Sequence, residues 1–138
     1  GRLADGFNGD AKLEALQDYI ANLSAAGRSV TIIGPVPEPG WHVGQMNMKH
    51  YLRGEEFPNL STSYALFLER NRFILDALSE VEKMPSVNIV YPHLALCSEL
   101  SGRCAVQTDQ APYYWDDDHL SLAGVNVVLP AIARALTD

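Results

Sequence analysis

The chain has 138 residues, of which 47% are apolar and 20% are charged, which is typical of one globular domain and excludes several domains or a disordered chain. Its net charge is −7, from 10 basic and 17 acidic residues, which excludes binding to nucleic acid or anionic membranes through clustered basic side chains. No apolar run approaches the roughly 20 residues needed to cross a bilayer.

Apolar residues at helical spacing predict a first helix over residues 10–26, with Gly27 as a typical stop. The stripe consists of Leu13, Leu16, Ile20 and Leu23. The β-branched run from Ser29 to Ile33, bounded by Gly34-Pro35, predicts a buried parallel strand. From Pro35 to about Leu60, frequent proline and glycine residues predict a long loop.

The second half of the chain repeats the order of helix, strand and loop. Ser61-Thr62-Ser63 offers a helix cap, and the apolar stripe that follows predicts a helix up to Val81. Val87 to Tyr91 predicts a second buried strand, and residues 94–114 predict an irregular stretch. Ser121 is the expected cap of a closing helix, which Pro130 should bend. One stripe of this helix consists of Leu122, Val125, Leu129, Ile132 and Leu136.

This alternation predicts an α/β fold with a parallel sheet, because helical crossovers return the chain to the same end of a sheet. Only two strands are convincing, however, and stable sheets generally need three or more. The chain also begins Gly1-Arg2-Leu3, with neither an initiator methionine nor an apolar signal region. We therefore expect residues 1–138 to be the C-terminal portion of a single domain that is truncated at its N-terminal side.

A candidate catalytic pair lies immediately before the closing helix, where Asp116 precedes His119 by three residues. In a turn that leads into a capped helix, residues at this spacing can approach each other. Asp116 could then accept a hydrogen bond from Nδ1–H of His119 and leave Nε2 free to take a proton from a nucleophile. An Asp-x-x-His spacing is common by chance, so its context decides the assignment.

That context resembles a known family. Asp116 and His119 ahead of the closing helix resemble the last block of the SGNH (GDSL-like) hydrolase superfamily. More narrowly, Cys97 through Cys104 followed by Tyr114 to Gly124 resembles the SGNH domain fused to membrane acyltransferase-3 proteins. Ile33-Gly34-Pro35-Val36-Pro37-Glu38 resembles an earlier strand and loop of that domain, and the similarity covers residues 13–137. The resemblance implies a three-layer α/β/α sandwich around a parallel sheet.

The resemblance also implies an activity. The family resembled contains O-acyltransferases and esterases, which share the acyl-enzyme step. The resemblance favours transfer, in which an acyl group, usually acetyl, moves onto cell-envelope sugars such as lipopolysaccharide O-antigen or peptidoglycan. His119 would be the general base of a Ser-His-Asp mechanism and Asp116 its orienting carboxylate. Implied partners are an acyl donor delivered by a membrane acyltransferase domain and a carbohydrate acceptor, at the periplasmic or extracellular face of the inner membrane. We expect no cofactor and no metal, and no substrate-binding residue is assigned.

The family's nucleophilic serine lies in a Gly-Asp-Ser block after the first strand, and the sequence contains no such block. Gly9-Asp10-Ala11 resembles it superficially, but no apolar strand precedes it, and we interpret Asp10 as a helix cap. Because a base without a nucleophile cannot catalyse, the 138-residue chain alone is expected to be inactive. The alternative is a non-catalytic carbohydrate- or protein-binding extracytoplasmic module, in which the aromatic loop 41–51 binds the ligand.

Cys97 and Cys104 close a short loop, and in an extracytoplasmic domain we predict a disulfide between them. Two reduced buried thiols are the alternative, and a zinc site lacks nearby ligands for four positions. Asp116, Asp117 and Asp118 could instead bind a divalent cation with His119, but contiguous side chains diverge. We interpret Asp117 and Asp118 as solvated or as caps of the closing helix.

The other polar candidates are interpreted as structural. His42 and His50 belong to a loop that we interpret as a lid over the core edge in preference to an acceptor surface. His93 follows a strand end, where α/β sheets place functional groups, but has no partner carboxylate in the sequence. Asn71 interrupts an apolar stripe and is expected to be hydrogen-bonded, and Trp115 and Leu120 are interpreted as packing anchors.

Overall fold

The computed structural model describes residues 9–137. The helices are α1 (Gly9–Ala25), α2 (Val43–Leu52), α3 (Tyr64–Val81), α4 (His93–Leu96) and α5 (Leu122–Thr137). The strands are β1 (Val30–Ile33), β2 (Ser61–Ser63), β3 (Val87–Val90), β4 (Cys97–Ser98) and β5 (Arg103–Ala105). Within the part of the chain described, no helix combines the length and apolarity that a bilayer crossing requires.

Strands β1 and β3 form a parallel pair, with Val30 opposite Val87 and Ile33 opposite Val90. The backbone N–H of Val30 donates to Ser86 at 2.8 Å, and that of Gly34 donates to Val90 at 2.8 Å. Helix α3 lies in the crossover that returns the chain to the start of β3. The predicted α/β class with a parallel sheet is therefore confirmed, and both strands lie within one residue of the predicted ranges.

Helices cover both faces of this pair. Ile20 of α1 packs with Val81 and Val87, so one face of the strands contacts α1 and α3. The next residue of β3, Asn88, donates from Nδ2 to the carbonyl oxygen of Ala135 in α5, at 3.2 Å. Because successive side chains of a strand point to opposite faces, α1 and α5 pack on opposite sides of the sheet.

The prediction of an irregular stretch over residues 94–114 is wrong in part. Within it, β4 and β5 form an antiparallel hairpin with Cys97 opposite Cys104, and β5 also pairs with β2. Gly102 adopts a positive φ of 66° in the connection, a conformation that glycine tolerates best. Strands of two or three residues leave no periodic signal in the sequence, and β2 pairs with a strand far away in the chain.

The prediction of a loop over residues 35–60 is wrong for residues 43–52, which form α2. The proline and glycine residues lie mostly before and after this segment, so they bound a helix instead of preventing one. His42 caps the helix, because its Nδ1 accepts the backbone N–H of Gln45 at 3.2 Å. The predicted loop thus contains a short helix whose first turn faces the candidate site.

The ends of α1 and α3 lie within one residue of the predicted ones, but the prediction of Asp10 as the cap of α1 is wrong. Gly27 has a positive φ of 76° just beyond α1, as expected of a helix stop. Asp10 lies in the first turn of α1 and not at its cap, since the helix already begins at Gly9. Ser63 caps α3 by accepting the N–H of Leu66 at 3.2 Å, and Pro130 lies inside α5.

The apolar stripe predicted for α5 does not coincide with its buried face. Gly124 and Val128 are buried, whereas Leu122, Leu129 and Leu136 are exposed. A helix that is apolar on nearly all sides is normally covered on all sides. The described part of the chain therefore leaves an apolar face of α5 uncovered.

Cys97 and Cys104 form the predicted disulfide, which joins β4 to β5. Replacing both by alanine is expected to lower the free energy of unfolding by about 2–3 kcal/mol, because the crosslink no longer restricts the unfolded chain. Urea denaturation with and without dithiothreitol checks this. The reductant should destabilise the wild type and leave the double variant unchanged, and equal sensitivity of both would contradict the prediction.

Candidate active site

The segment that carries Asp116 and His119 is a tight loop between β5 and α5. Its two ends are paired, because Tyr114 and Leu120 form an antiparallel bridge. The N–H of Trp115 donates to the carbonyl oxygen of His119 at 2.8 Å. These contacts close the loop over residues 115–119 and hold Asp116 and His119 in one turn.

Tyr114 anchors this loop to the interior. It is 1% exposed and packs with Val43 and Val106, and its hydroxyl donates to the carbonyl oxygen of Pro37 at 2.5 Å. Burial raises the pKa of Tyr114, so the hydroxyl remains protonated and can donate. Leu120 packs on the same cluster, as predicted. Trp115 does not pack as predicted, because its side chain is exposed.

Two glycines let neighbouring helices approach the loop closely. A Cβ at Gly44 of α2 would lie 3.0 Å from the carbonyl oxygen of Trp115, and one at Gly124 of α5 would lie 2.1 Å from that of Tyr113. Between them, the N–H of Val43 donates to the carbonyl oxygen of Asp116 at 3.2 Å. The backbone of the loop is thus held from both sides.

The side chain of Asp116 organises the turn. Its Oδ1 accepts the backbone N–H of His119 at 2.8 Å and that of Asp118 at 3.1 Å. Its Oδ2 lies 2.9 Å from Nδ1 of His119. The contact expected from the three-residue spacing is therefore present, and the carboxylate positions both the backbone and the ring of His119.

These contacts shift the pKa values of both Asp116 and His119. The N–H of His119, followed by that of Asp118, holds the pKa of Asp116 well below its usual range. The hydrogen bond to Asp116, then its negative charge and that of Asp118, raise the pKa of His119. Since Nδ1 is occupied by carboxylate, Nε2 is the ring nitrogen left to exchange a proton with a substrate or nucleophile.

Asp118 contributes a contact that the sequence did not suggest. Its Oδ1 lies 2.7 Å from Nδ1 of His119, so two carboxylates face one nitrogen. Asp116, Asp118 and His119 offer ligand atoms within 4.8 Å of one another, which could hold a divalent cation. Binding there would compete with the hydrogen bonds that Asp116 already accepts, and the ion pair itself accounts for the arrangement.

The other histidines lie in separate settings. His42 caps α2, and Nδ1 of His50 lies 2.7 Å from a carboxylate oxygen of Glu55. His93 is buried among the rings of Tyr64 and Phe67, and burial lowers its pKa. Asn71 donates from Nδ2 to the carbonyl oxygen of Phe67 at 2.9 Å, as expected of a hydrogen-bonded polar residue.

A histidine oriented by a carboxylate is the general base in hydrolases that use a Ser-His-Asp triad, and this α/β domain carries such a pair with the histidine exposed. The family model described as the SGNH domain fused to AT3 domains matches residues 2–134. The chain therefore belongs to this SGNH domain family, which is hydrolase- or esterase-like and associated with acyltransferase domains. No curated protein sequence and no solved structure matches the chain.

The pKa of His119, measured by NMR titration of its ring signals, is expected to lie above the ordinary 6.5. Removing charge should lower it most in Asp116→Asn, less in Asp118→Asn and least in Asp117→Asn. The stabilisation from the pair is present below pH 6.5 and is lost as pH rises through the raised folded value. A pKa at or below 6.5, or the same fall in all three variants, would contradict this prediction.

Proposed function

We propose that the chain supplies the base and the orienting carboxylate of an SGNH-type O-acyltransferase that works by a Ser-His-Asp mechanism. The observation that carries the proposal is the 2.9 Å contact between Oδ2 of Asp116 and Nδ1 of His119 on a 75% exposed imidazole. The family match supports a hydrolase-like module associated with acyl transfer. The two residues would act on a serine outside these 138 residues.

The contact between Asp116 and His119 supports the following roles. Nε2 of His119 takes the proton of the serine hydroxyl as its oxygen attacks the acyl carbonyl, and Asp116 stabilises the imidazolium that forms. The imidazolium then gives this proton to the leaving group, and the acyl group stays on the serine. In the second half, Nε2 takes a proton from the acceptor hydroxyl, which attacks the acyl-serine, and the serine recovers its proton.

Three observations support a catalytic domain completed by further strands. Asp116 and His119 line none of the four cavities described in residues 9–137. The described parallel sheet has two strands, and Ile33 at the end of β1 is exposed. Helix α5, which contacts β1, has an uncovered apolar face. Added strands would complete a three-layer α/β/α sandwich and could carry the nucleophile and the walls of the substrate site.

We further propose the partners and the location. The acyl group, usually acetyl, would come from a membrane acyltransferase domain and pass to a cell-envelope sugar, such as one of the lipopolysaccharide O-antigen or of peptidoglycan. The domain would work at the periplasmic or extracellular face of the inner membrane. The disulfide between Cys97 and Cys104 supports such an oxidising compartment.

The coding region upstream of Gly1 tests the proposal first. It should encode a Gly-Asp-Ser block after an apolar strand, with membrane-spanning segments before it. Full-length protein incubated with its acyl donor and quenched in acid should then carry the acyl group on that serine, detected by peptide mass spectrometry. A start codon directly before or near the codon of Gly1, or no acylated serine in active preparations, would overturn the proposal.

A carbohydrate- or protein-binding module remains the second candidate, and one observation favours it. Tyr51 and Met48 of α2 are largely exposed, as expected of a binding surface, although Trp41 packs inward on the cluster with Val43. The 138-residue chain would then bind cell-envelope polysaccharide in a sedimentation assay. Tyr51→Ala should abolish that binding and His119→Ala should preserve it. The reverse pattern would exclude this candidate.

A further inference from the structure

A cavity of about 290 Å³ lies on the antiparallel sheet and includes neither Asp116 nor His119 in its lining. Its polar lining residues are Asn59, Ser61, Ser98, Ser101, Arg103 and Gln107. None of the residues that line it is acidic, although the chain has 17 acidic residues and a net charge of −7. A cation in a concave site without carboxylates favours an anionic ligand.

Arg103 is held in place by β2. Its Nε donates to Oγ of Ser61 at 2.9 Å, and its Nη2 donates to the carbonyl oxygen of Ser61 at 2.6 Å. A guanidinium group has five N–H bonds, and these contacts occupy two of them. Both protons of Nη1 and one of Nη2 remain to bind a ligand, on a side chain that is already ordered.

Two serine hydroxyls beside this arginine can donate as well. Oγ of Ser61 accepts from Arg103, and Oγ of Ser98 accepts the backbone N–H of Ser101 at 3.4 Å. Each hydroxyl therefore uses an acceptor position within the protein and keeps its single proton for another partner. Donors in a cavity whose lining contains no carboxylate complement an oxyanion and not a cation.

The frame around these donors is constrained. The disulfide between Cys97 and Cys104 ties β4 to β5 at the residue next to Arg103. The backbone N–H of Arg103 also donates to Oγ of Ser101 at 3.2 Å, which fixes the start of β5 to the hairpin turn. A site whose donors are ordered before binding loses little conformational freedom when the ligand arrives.

We infer that this cavity binds an oxyanion, the carboxylate or phosphate of a small ligand, through Arg103, Ser61 and Ser98. The inference concerns a site separate from Asp116 and His119 and stands whether or not the proposed acyl transfer is correct. The bidentate geometry of a guanidinium group suits both carboxylate and phosphate, so the two sources share one chemistry.

NMR titration of the ¹⁵N-labelled 138-residue chain tests the inference directly. Glucuronate, glucose 6-phosphate and neutral glucose are added at constant ionic strength, and the Nε–H signal of Arg103 is followed. We expect saturable shifts with one or both anions and no shifts with glucose. A response to glucuronate alone identifies carboxylate as the ligand group, and a response to glucose 6-phosphate alone identifies phosphate. Absence of saturation with both anions, or equal shifts with glucose, would overturn the inference.

Two charge-matched variants locate the site. Arg103→Gln should weaken anion binding at least about 10-fold, since hydrogen bonds to a charged group are lost. Arg72→Gln removes the same charge from an exposed position on α3 and should leave the affinity unchanged. Equal affinity of the two variants would contradict the assignment. If Arg103→Gln does not fold, the wild type decides the question. Ligand-induced shifts confined to the signals of the hairpin of β4 and β5 would support the site, and shifts elsewhere would contradict it.

Discussion

On the proposed Ser-His-Asp mechanism, replacing His119 by alanine in a protein that includes the upstream serine block is expected to lower the rate of acyl transfer about 10³-fold, as is typical when a general base is removed. The loss should appear in the formation of the acyl-serine, because Nε2 would deprotonate the nucleophile in that first step. Stopped-flow release of p-nitrophenol from p-nitrophenyl acetate measures this step without the sugar acceptor.

Variants of two neighbouring aspartates distinguish the orientation of His119 from the effect of negative charge in the turn. Asp116→Asn should lower the rate of acyl-serine formation about 10²- to 10⁴-fold. An amide no longer selects the Nδ1–H form of His119 or stabilises its imidazolium. Asp117→Asn removes one charge from the same turn at an exposed residue and should retain nearly full activity. Comparable losses in both variants would point to the charge of the turn and not to Asp116.

The pH profile adds a further check on the same base. His119 must be neutral at Nε2 to accept a proton, and its pKa is raised by Asp116 and the charge of Asp118. Activity should therefore rise with pH through a value above 6.5.

An activity in His119→Ala close to that of the wild type would remove His119 from the mechanism. The isolated 138-residue chain should hydrolyse the ester no faster than its His119→Ala variant.

Features set by local sequence were predictable. The ranges of α1, α3 and α5 follow apolar stripes that end at recognisable caps, and β1 and β3 are β-branched runs bounded by turns. The contact between Asp116 and His119 was also predictable, because a three-residue spacing in a turn depends on local backbone geometry alone. The disulfide followed from two cysteines separated by seven positions.

Features set by distant pairing were not predictable. The antiparallel sheet joins β2 to β5 across α3 and β3, and neither strand exceeds three residues. The exposure of Trp115 depends on how the turn sits against α2, and the approach of Asp118 to His119 depends on side-chain rotation within an acidic run. The stripe predicted for α5 does not match its buried face, because the buried side of a helix is decided by the elements that pack against it.

Gly124→Ala is expected to lower the free energy of unfolding by about 2–4 kcal/mol, although alanine favours a helix by about 1 kcal/mol over glycine. The added Cβ would lie 2.1 Å from the carbonyl oxygen of Tyr113 and 2.9 Å from Cδ2 of Leu120. The first of these atoms belongs to backbone, so α5 or the loop must move. That carbonyl oxygen also accepts the N–H of Ser121 at 2.9 Å, a bond that the shift would break.

Asn126→Ala is the matched control, because it adds alanine to an exposed position of the same helix without a clash. We expect it to leave stability unchanged or to raise it by up to about 0.7 kcal/mol through helix propensity. Urea denaturation compares the three proteins, and a titration of His119 shows whether the loop has moved. In Gly124→Ala the pKa of His119 should fall towards 6.5, since Asp116 no longer meets the ring in the same geometry. A Gly124→Ala protein as stable as Asn126→Ala, with an unchanged pKa, would show that the loop tolerates the displacement and that close packing of α5 does not position the pair.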